Sequence, residues 1–365
     1  MGRQKWHKKT INLALQGGGS HGAFTWGVLD RMFEEDALWI EAISGTSAGA
    51  MNAVVAAQGM YDAGAKGARE ALEGFWRAVS EAGQTSPMKR TPFDVMTGNW
   101  SLDANPGYLW MDMLSRLASP YDLNPFNYNP LRGIVDQFVD FEKIAAEDDM
   151  GIFISATNVE TGRARVFHRH ELSLDVVMAS ACLPFLFQAV EVDGVPYWDG
   201  GYMGNPVLFP IIDHSPCNDI LIVQINPLKR PGTPRSARDI QNRVNEITFN
   251  ASLLRDLRAI RLVDRLLDEG ALSESKYKRM RLHMIDDGCE KMLDMGASSK
   301  LNSEWAFLVH LRDIGRQAAD GWLKKHFDDI GQNETLDLDE LFGDFGAARD
   351  ENVLNVNFKT GESLP

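Results

Sequence analysis

Gly45-Thr46-Ser47-Ala48-Gly49 fits G-x-S-x-G, a spacing in which small flanking residues leave one serine hydroxyl accessible as a nucleophile. A serine so placed attacks carbonyl carbon, and it then needs donors for the developing oxyanion and a base for its proton. Gln16-Gly17-Gly18-Gly19-Ser20-His21-Gly22 can supply the donors, because consecutive glycines bring backbone N–H groups close to a ligand oxygen. Through Gly17, Gly19 and Gly22 the same loop also fits G-x-G-x-x-G and would suit a phosphate. A dinucleotide site asks for an acidic residue at the end of the next strand. Here that strand ends Ile43-Ser44-Gly45, with Glu41 inside it. The oxyanion role, through the N–H groups of Gly18 and Gly19, is the better fit, with the Ala48 N–H as a further donor beside the serine.

These groups meet only if the chain positions them. Trp39 to Ser44 is short and largely apolar, which predicts a buried strand. The Ala, Met and Val run from Ala48 to Ala57 predicts a buried helix. Ser47 then sits on the strand-to-helix turn, beside the positive end of the helix dipole. A helix N-cap serine in a small-residue turn would read the same way. Ile11 to Leu15 predicts a second strand, and Ala23 to Phe33 an amphipathic helix, so the glycine run is a strand-loop-helix junction as well. For the base, His214, His283, His310 and His326 follow the serine, but none carries a local signature. Tyr197-Trp198-Asp199-Gly200-Gly201-Tyr202 instead puts a carboxylate at a glycine turn after the strand-like Gln188 to Val192, where an ordinary Asp-Gly hairpin turn is the competing explanation.

Taken together, the three motifs resemble the patatin-like phospholipase family in type, order and spacing. The loop lies about 30 residues before the serine and the aspartate about 150 after it. Ala179-Ser180-Ala181-Cys182-Leu183-Pro184-Phe185 is similar to the stretch that precedes the family's aspartate, and the likeness covers roughly residues 11–227. The resemblance implies Ser47 as nucleophile, Asp199 as base, Gly18, Gly19 and Gly17 as oxyanion donors, and Gly45, Gly49, Gly200 and Gly201 as motif support. It also implies a three-layer α/β/α sandwich with a mostly parallel sheet and a helical C-terminal addition. The family usually has Arg or Lys where His21 stands, so a titratable group replaces a fixed charge and a pH response near histidine ionisation is expected. A carboxylate is a weak base unless its surroundings are dry; Tyr197, Trp198, Phe185 and Phe187 are the expected apolar neighbours of Asp199. The implied reaction is hydrolysis of a fatty acyl ester in a phospholipid or lysophospholipid, without cofactor or metal. A broad carboxylesterase or thioesterase would use the same residues, and a noncatalytic lipid-binding regulator would share the scaffold.

Of 365 residues, 44% are hydrophobic and 24% charged, as in a globular chain with a large core, and the net charge of −14 argues against nucleic-acid binding. Cys182, Cys217 and Cys289 are too few and too scattered for a disulfide framework and suit a reducing compartment. The basic Met1 to Thr10 is followed by too short an apolar run for a signal peptide, and no stretch approaches a membrane span. A cytoplasmic enzyme that visits membrane surfaces is therefore expected. In the proline- and aromatic-rich segment 86–130, Trp110, Met113, Leu114 and Leu117 share a helical face. It would serve as a lid or interfacial patch or, more ordinarily, as a cap on the core. A helical addition at 236–327 is expected, with Ile240, Val244, Ile247, Leu254, Leu257 and Ile260 on one stripe. The stripe would pack on the core, or else serve a homo-oligomer or anionic lipid. Residues 1–327 then form the hydrolase domain. Residues 328–365, with ten acidic and two basic side chains, form a loosely ordered tail in which Leu336, Leu338, Leu341, Phe342 and Phe345 could dock as a short helix.

Overall fold

The computed structural model describes residues 8–286, 291–293 and 295–343. Residues 1–7, with Arg3 and Lys5, together with Cys289 and residues 344–365 of the acidic tail, lie outside the described residues. A mixed sheet forms the centre, in the order β5-β6-β3-β2-β1-β7-β8, with β4 paired to β3. Five strands run parallel: β8 (Arg281–Ile285), β7 (Asp219–Val223), β1 (Lys9–Leu15), β2 (Leu38–Gly45) and β3 (Gly151–Asn158). β4 (Ala164–His168), β6 (Val195–Asp199) and β5 (Val190–Val192) add an antiparallel flank.

Alternation along β1 explains how both faces are covered. Ile11, Leu13 and Leu15 join a core with Phe24, Val28, Val54, Leu308 and Leu311, contributed by the helices Gly22–Met32, Ala48–Gly83 and Trp305–His326. On the opposite face the polar atoms between strands and cover are matched: Asn12 Oδ1 accepts from Ser215 Oγ at 2.6 Å, and Ser44 Oγ donates to the Val207 carbonyl at 2.7 Å. The architecture is thus helix, sheet, helix, as the sequence predicts. The Ala48–Gly83 helix breaks once, at Ala63 and Gly64, where the backbone leaves helical angles.

The helices Gly22–Met32 and Trp305–His326 touch backbone to backbone. A Cβ on Gly315 would stand 2.0 Å from the Phe24 carbonyl oxygen, and one on Gly27 would stand 1.9 Å from that of Arg312. Since Gly22–Met32 begins where the glycine loop ends, this clamp holds the loop. Gly315→Ala must push the helices apart, and overpacking costs about 1–3 kcal/mol, more than the roughly 1 kcal/mol of helix propensity that alanine adds. Gly321, on the same helix, has nothing within 4 Å of an added Cβ. Urea unfolding should therefore show Gly315→Ala destabilised and Gly321→Ala unchanged or slightly stabilised.

Three expectations need correction. The Asp-Gly hairpin turn is Asp193-Gly194, both at positive φ (52° and 78°), joining β5 to β6; Asp199 ends the second strand of that hairpin rather than following the first directly. The Ala237–Asp268 helix buries Leu253, Leu257 and Ile260, but Ile240, Val244 and Ile247 are exposed, so the first half of the stripe does not face the core. Segment 86–130 is anchored by the buried Asp94, Ser101, Leu102 and Asn105, whereas its helix Pro106–Leu114 buries no residue and is no cap on the core.

The compact unit extends past the expected domain end at residue 327, to Thr335. Lys9 Nζ donates to the carbonyls of Asp328 and Ile330, the Gly331 N–H donates to Asp219 Oδ1, and the Thr335 N–H donates to the Leu282 carbonyl. Burial opposes charge on Asp219, yet hydrogen bonds from His283, Arg281 and the Gly331 amide hold its carboxyl down to about 2. The acidic side chains of 328–335 give the segment the composition of a tail, yet its backbone groups dock on the sheet and the Thr335 hydroxyl lies 2.9 Å from His283 Nδ1. Leu336 onward forms a separate unit, in which Leu338–Phe342 is a short helix capped by Asp337 on the amides of Asp339 and Glu340.

Candidate active site

Parallel pairing of β1 with β2 sets Leu15 opposite Gly45, so the glycine loop and the serine turn leave the sheet side by side at its carboxyl end. A Cβ on Gly17 would lie 2.7 Å from the Ser47 Cβ, and one on Gly49 would lie 2.4 Å from the Leu15 carbonyl oxygen, so both glycines are required for the two turns to touch. Ser47 has φ 54° and ψ −120°, a strained conformation for a residue with a Cβ. The turn is held from below. The Ser47 N–H donates to Ser180 Oγ at 2.9 Å, the Thr46 hydroxyl donates to the Gly204 carbonyl at 2.7 Å, and the Gly49 N–H donates to the Thr46 carbonyl at 2.8 Å.

Asp199 reaches the same place from the antiparallel flank. β3 pairs with β2 on one side and with β6 on the other, placing Asp199 opposite Ala156. Its N–H donates to the Cys182 carbonyl at 2.8 Å and its carbonyl accepts from Thr157 Oγ1 at 2.8 Å. The carboxylate is 1% exposed; Oδ1 accepts from the Gly201 N–H at 2.7 Å, and Oδ2 has no hydrogen-bond partner. Burial pushes this carboxyl up to about 6, against the opposing pull of the Gly201 amide, the Ser47 hydroxyl and, through space, Lys300. The Ser47 side chain is thus among the groups that act on the Asp199 carboxyl, while Oδ2 makes no hydrogen bond. An unpartnered carboxylate oxygen in a dry site is a proton acceptor in waiting. The dryness does not come from Phe185, which is 68% exposed. Phe249 supplies it instead, with a ring carbon 2.3 Å from where a Gly201 Cβ would be, and Tyr202 lies against that ring.

The expected oxyanion donors divide. The Gly17 N–H is engaged by Asn205 Oδ1 at 2.6 Å and is not available to a ligand, which corrects the role expected for it. For the amides of Gly18, Gly19 and Ala48 there is no protein acceptor among the described residues. Gly19 adopts φ +58° and passes under the Lys300 carbonyl, a position closed to other residues. His21 is 4% exposed rather than solvent-facing, with Nε2 2.7 Å from Ser299 Oγ. Burial, helped by the nearby Lys300 charge, lowers it to about 3. It is neutral across the working range, and the expected pH response at this position is withdrawn.

Several supports carry no motif. Gln16 accepts the amides of Ile225 and Asn226 through Oε1 and donates through Nε2 to Asn250 Oδ1; Asn226 Nδ2 donates to the Gly17 carbonyl at 3.0 Å. Ser180 lies in the stretch singled out in the sequence, and Asn205 follows Gly200-Gly201 closely enough to have been suspected. Asn226, Asn250 and Lys300 had no local signal. Among the described residues no three His, Cys, Asp or Glu side chains are grouped to hold a metal ion, and no helix is long and apolar enough to cross a membrane.

The family described as patatin-like phospholipase matches residues 13–211. No curated protein matches the chain. Among solved structures, it is similar to VipD from Legionella pneumophila, at 17% identity over 84% of this chain and 67% of that one, with a TM-score of 0.33. It is also similar to the type III effector protein ExoU, at 15% identity over 87% of this chain and 53% of that one, TM-score 0.32. A third similarity is to the complex of SpcU with ExoU from the type III secretion system of Pseudomonas aeruginosa, at 13% identity over 91% and 75%, TM-score 0.27. With its matched segment spanning more than half its length, from β1 to the helix Phe209–His214, the chain belongs to the patatin-like phospholipase family, a family of lipid acyl hydrolases.

Proposed function

We propose that this chain hydrolyses fatty acyl esters of phospholipids or lysophospholipids through a Ser47–Asp199 dyad. The observation that supports the reading is a buried Asp199 whose Oδ2 is unpartnered and whose carboxyl is influenced by the side chain of the strained Ser47, together with three unengaged amides of the two turns. Ser47 Oγ attacks the ester carbonyl while its proton passes to Asp199 Oδ2. The carbonyl oxygen, now negative, accepts from the amides of Gly18, Gly19 and Ala48, and donors of this kind contribute about 3–4 kcal/mol each in other hydrolases. Collapse expels the alcohol, which takes the proton from Asp199 and leaves an acyl-serine. Water then attacks the acyl carbon, giving its proton to the same carboxylate, and collapse breaks the bond to Ser47 Oγ, which takes that proton back as the fatty acid leaves.

A lipid surface as the place of encounter is supported by exposed side chains. Trp110, Met113 and Leu117 are 63%, 51% and 76% exposed, and Val244 and Ile247 are 55% and 54% exposed. Trp110 and Met113 lie on the helix Pro106–Leu114 and Leu117 on the turn after it, outside the helical face expected to include it; Arg116 of that turn donates to Gln241 Oε1 of the Ala237–Asp268 helix at 2.9 Å. Aromatic and aliphatic side chains left in water over such a span mark a surface that meets an apolar phase. A cytoplasmic enzyme acting at membrane surfaces is the setting this reading implies.

The test is covalent labelling with a fluorophosphonate, followed by release of fatty acid from phosphatidylcholine, lysophosphatidylcholine, triglyceride and acyl-CoA in parallel. Modification at Ser47, absent in Ser47→Ala, with phospholipid or lysophospholipid preferred is the expected outcome. An unlabelled Ser47 in folded protein would leave a lipid-binding regulator, and a preference for acyl-CoA would make the enzyme a thioesterase.

A further inference from the structure

Residues 297–301 lie well beyond the segment that matches the family, yet they form a 3-10 turn directly on the glycine loop. The Lys300 carbonyl lies 2.5 Å from where a Gly19 Cβ would be, and Ser299 meets His21. The turn is itself tied down, since Ser298 Oγ accepts the Leu102 N–H at 3.1 Å and lies 2.9 Å from Ser101 Oγ. From this turn Lys300 sends its ammonium to Asn226 Oδ1 at 2.7 Å, and the same Asn226 side chain donates to the Gly17 carbonyl at 3.0 Å. A cation is thereby fixed behind the oxyanion loop.

The surroundings leave that charge directed at the site. Glu246 is the nearest acidic competitor, but it is engaged by Arg230 and Arg243, and Lys300 forms no salt bridge among the described residues. His21, the residue at the loop's own basic position, is neutral. The groups that face Lys300 electrostatically are Glu246 and Arg230 on one side and Asp199 on the other. Those that face Asp199 are the Gly201 amide, the Ser47 hydroxyl, Lys300, and the Cys182 thiol and Tyr202 phenol, both of which burial and the Asp199 charge push up to about 12.

We propose that Lys300 is a positioning residue of the active site: through Asn226 it braces the glycine loop, and its ammonium, 5.9 Å from the centroid of the Phe249 ring that packs on Gly201, stands as a fixed positive charge beside the turn that carries Asp199. Burial lowers Lys300 to about 8, so it remains cationic at neutral pH, where the base must be free of its proton. The inference rests on the dyad reading and can fail without it.

Lys300→Gln and Lys300→Arg test it. Glutamine keeps an N–H for Asn226 and removes the charge, while arginine keeps the charge. For Lys300→Gln the acid limb of kcat on a soluble p-nitrophenyl ester should move up by about one pH unit, with KM little changed, while Lys300→Arg keeps the wild-type limb. The carboxyl carbon resonance that Asp199→Asn removes should show the same upward shift in Lys300→Gln, whether or not the protein turns over substrate. Unmoved titration in Lys300→Gln overturns the proposal, as does equal loss in both variants with a lowered melting temperature, which would make Lys300 merely structural. Retained activity in Ser47→Ala would instead remove the dyad reading.

Discussion

Ester hydrolysis by Ser47→Ala is expected to fall by on the order of 10⁴- to 10⁶-fold, as when a nucleophile is removed from other serine hydrolases, with the protein still folded. The bonds that hold the turn use main-chain atoms of residue 47: its N–H to Ser180, and its carbonyl accepting from the Met51 N–H at 3.1 Å. Alanine keeps both, and keeps the strain, because any Cβ at φ 54° incurs it. Ser47→Gly should lose activity equally but gain about 1–2 kcal/mol of unfolding free energy, since glycine occupies this region freely. Urea unfolding alongside p-nitrophenyl butyrate turnover measures both effects. If glycine were no more stable than alanine there, the strain would not be real; if Ser47→Ala turned over like wild type, the nucleophile would lie elsewhere.

Asp199→Asn should lower kcat by about 10²- to 10⁴-fold, the range for removal of a general base. An asparagine oxygen can still accept from the Gly201 N–H, so the local turn persists while the proton acceptor is gone. In the wild type the carboxyl is raised to about 6, and the base acts only when ionised. The rate should therefore hold above that value and decline tenfold per unit as pH falls below it. Histidine does not explain this limb: His21 is lowered to about 3. A limb at the ordinary carboxylate value of 3.8 would show that the site admits water and that burial does not tune the base.

The parts of the site legible in the sequence were those that local chemistry dictates. A glycine run between a strand and a helix, and a serine between two glycines, are demands of tight turns, so Gly17 to Gly19, Ser47 and the elements around them could be read directly. Asp199 is recognisable through its two glycines, and the competing hairpin turn falls instead at Asp193-Gly194, which looks like Asp199-Gly200 until β6 is seen to pair with β5 and β3. The Gly17 amide could not be assigned, because its partner Asn205 comes from a distant loop. Lys300 and Asn226 were invisible for the same reason. Ile240, Val244 and Ile247 had helical periodicity, which shows that a face exists but not what it meets.

Because Gln16 finds its partners at Ile225, Asn226 and Asn250, and Gly19 lies beneath Lys300, the early loop is shaped by late residues. During translation, at about 5–20 residues per second, Ser47 emerges tens of seconds before the turn that braces its oxyanion donors. A nascent chain displays a nucleophile with no organised partner and β1 still lacking β7 along one side. Until residues 225–300 have been made, the glycine loop lacks the groups that shape it, so the two turns cannot act together before then.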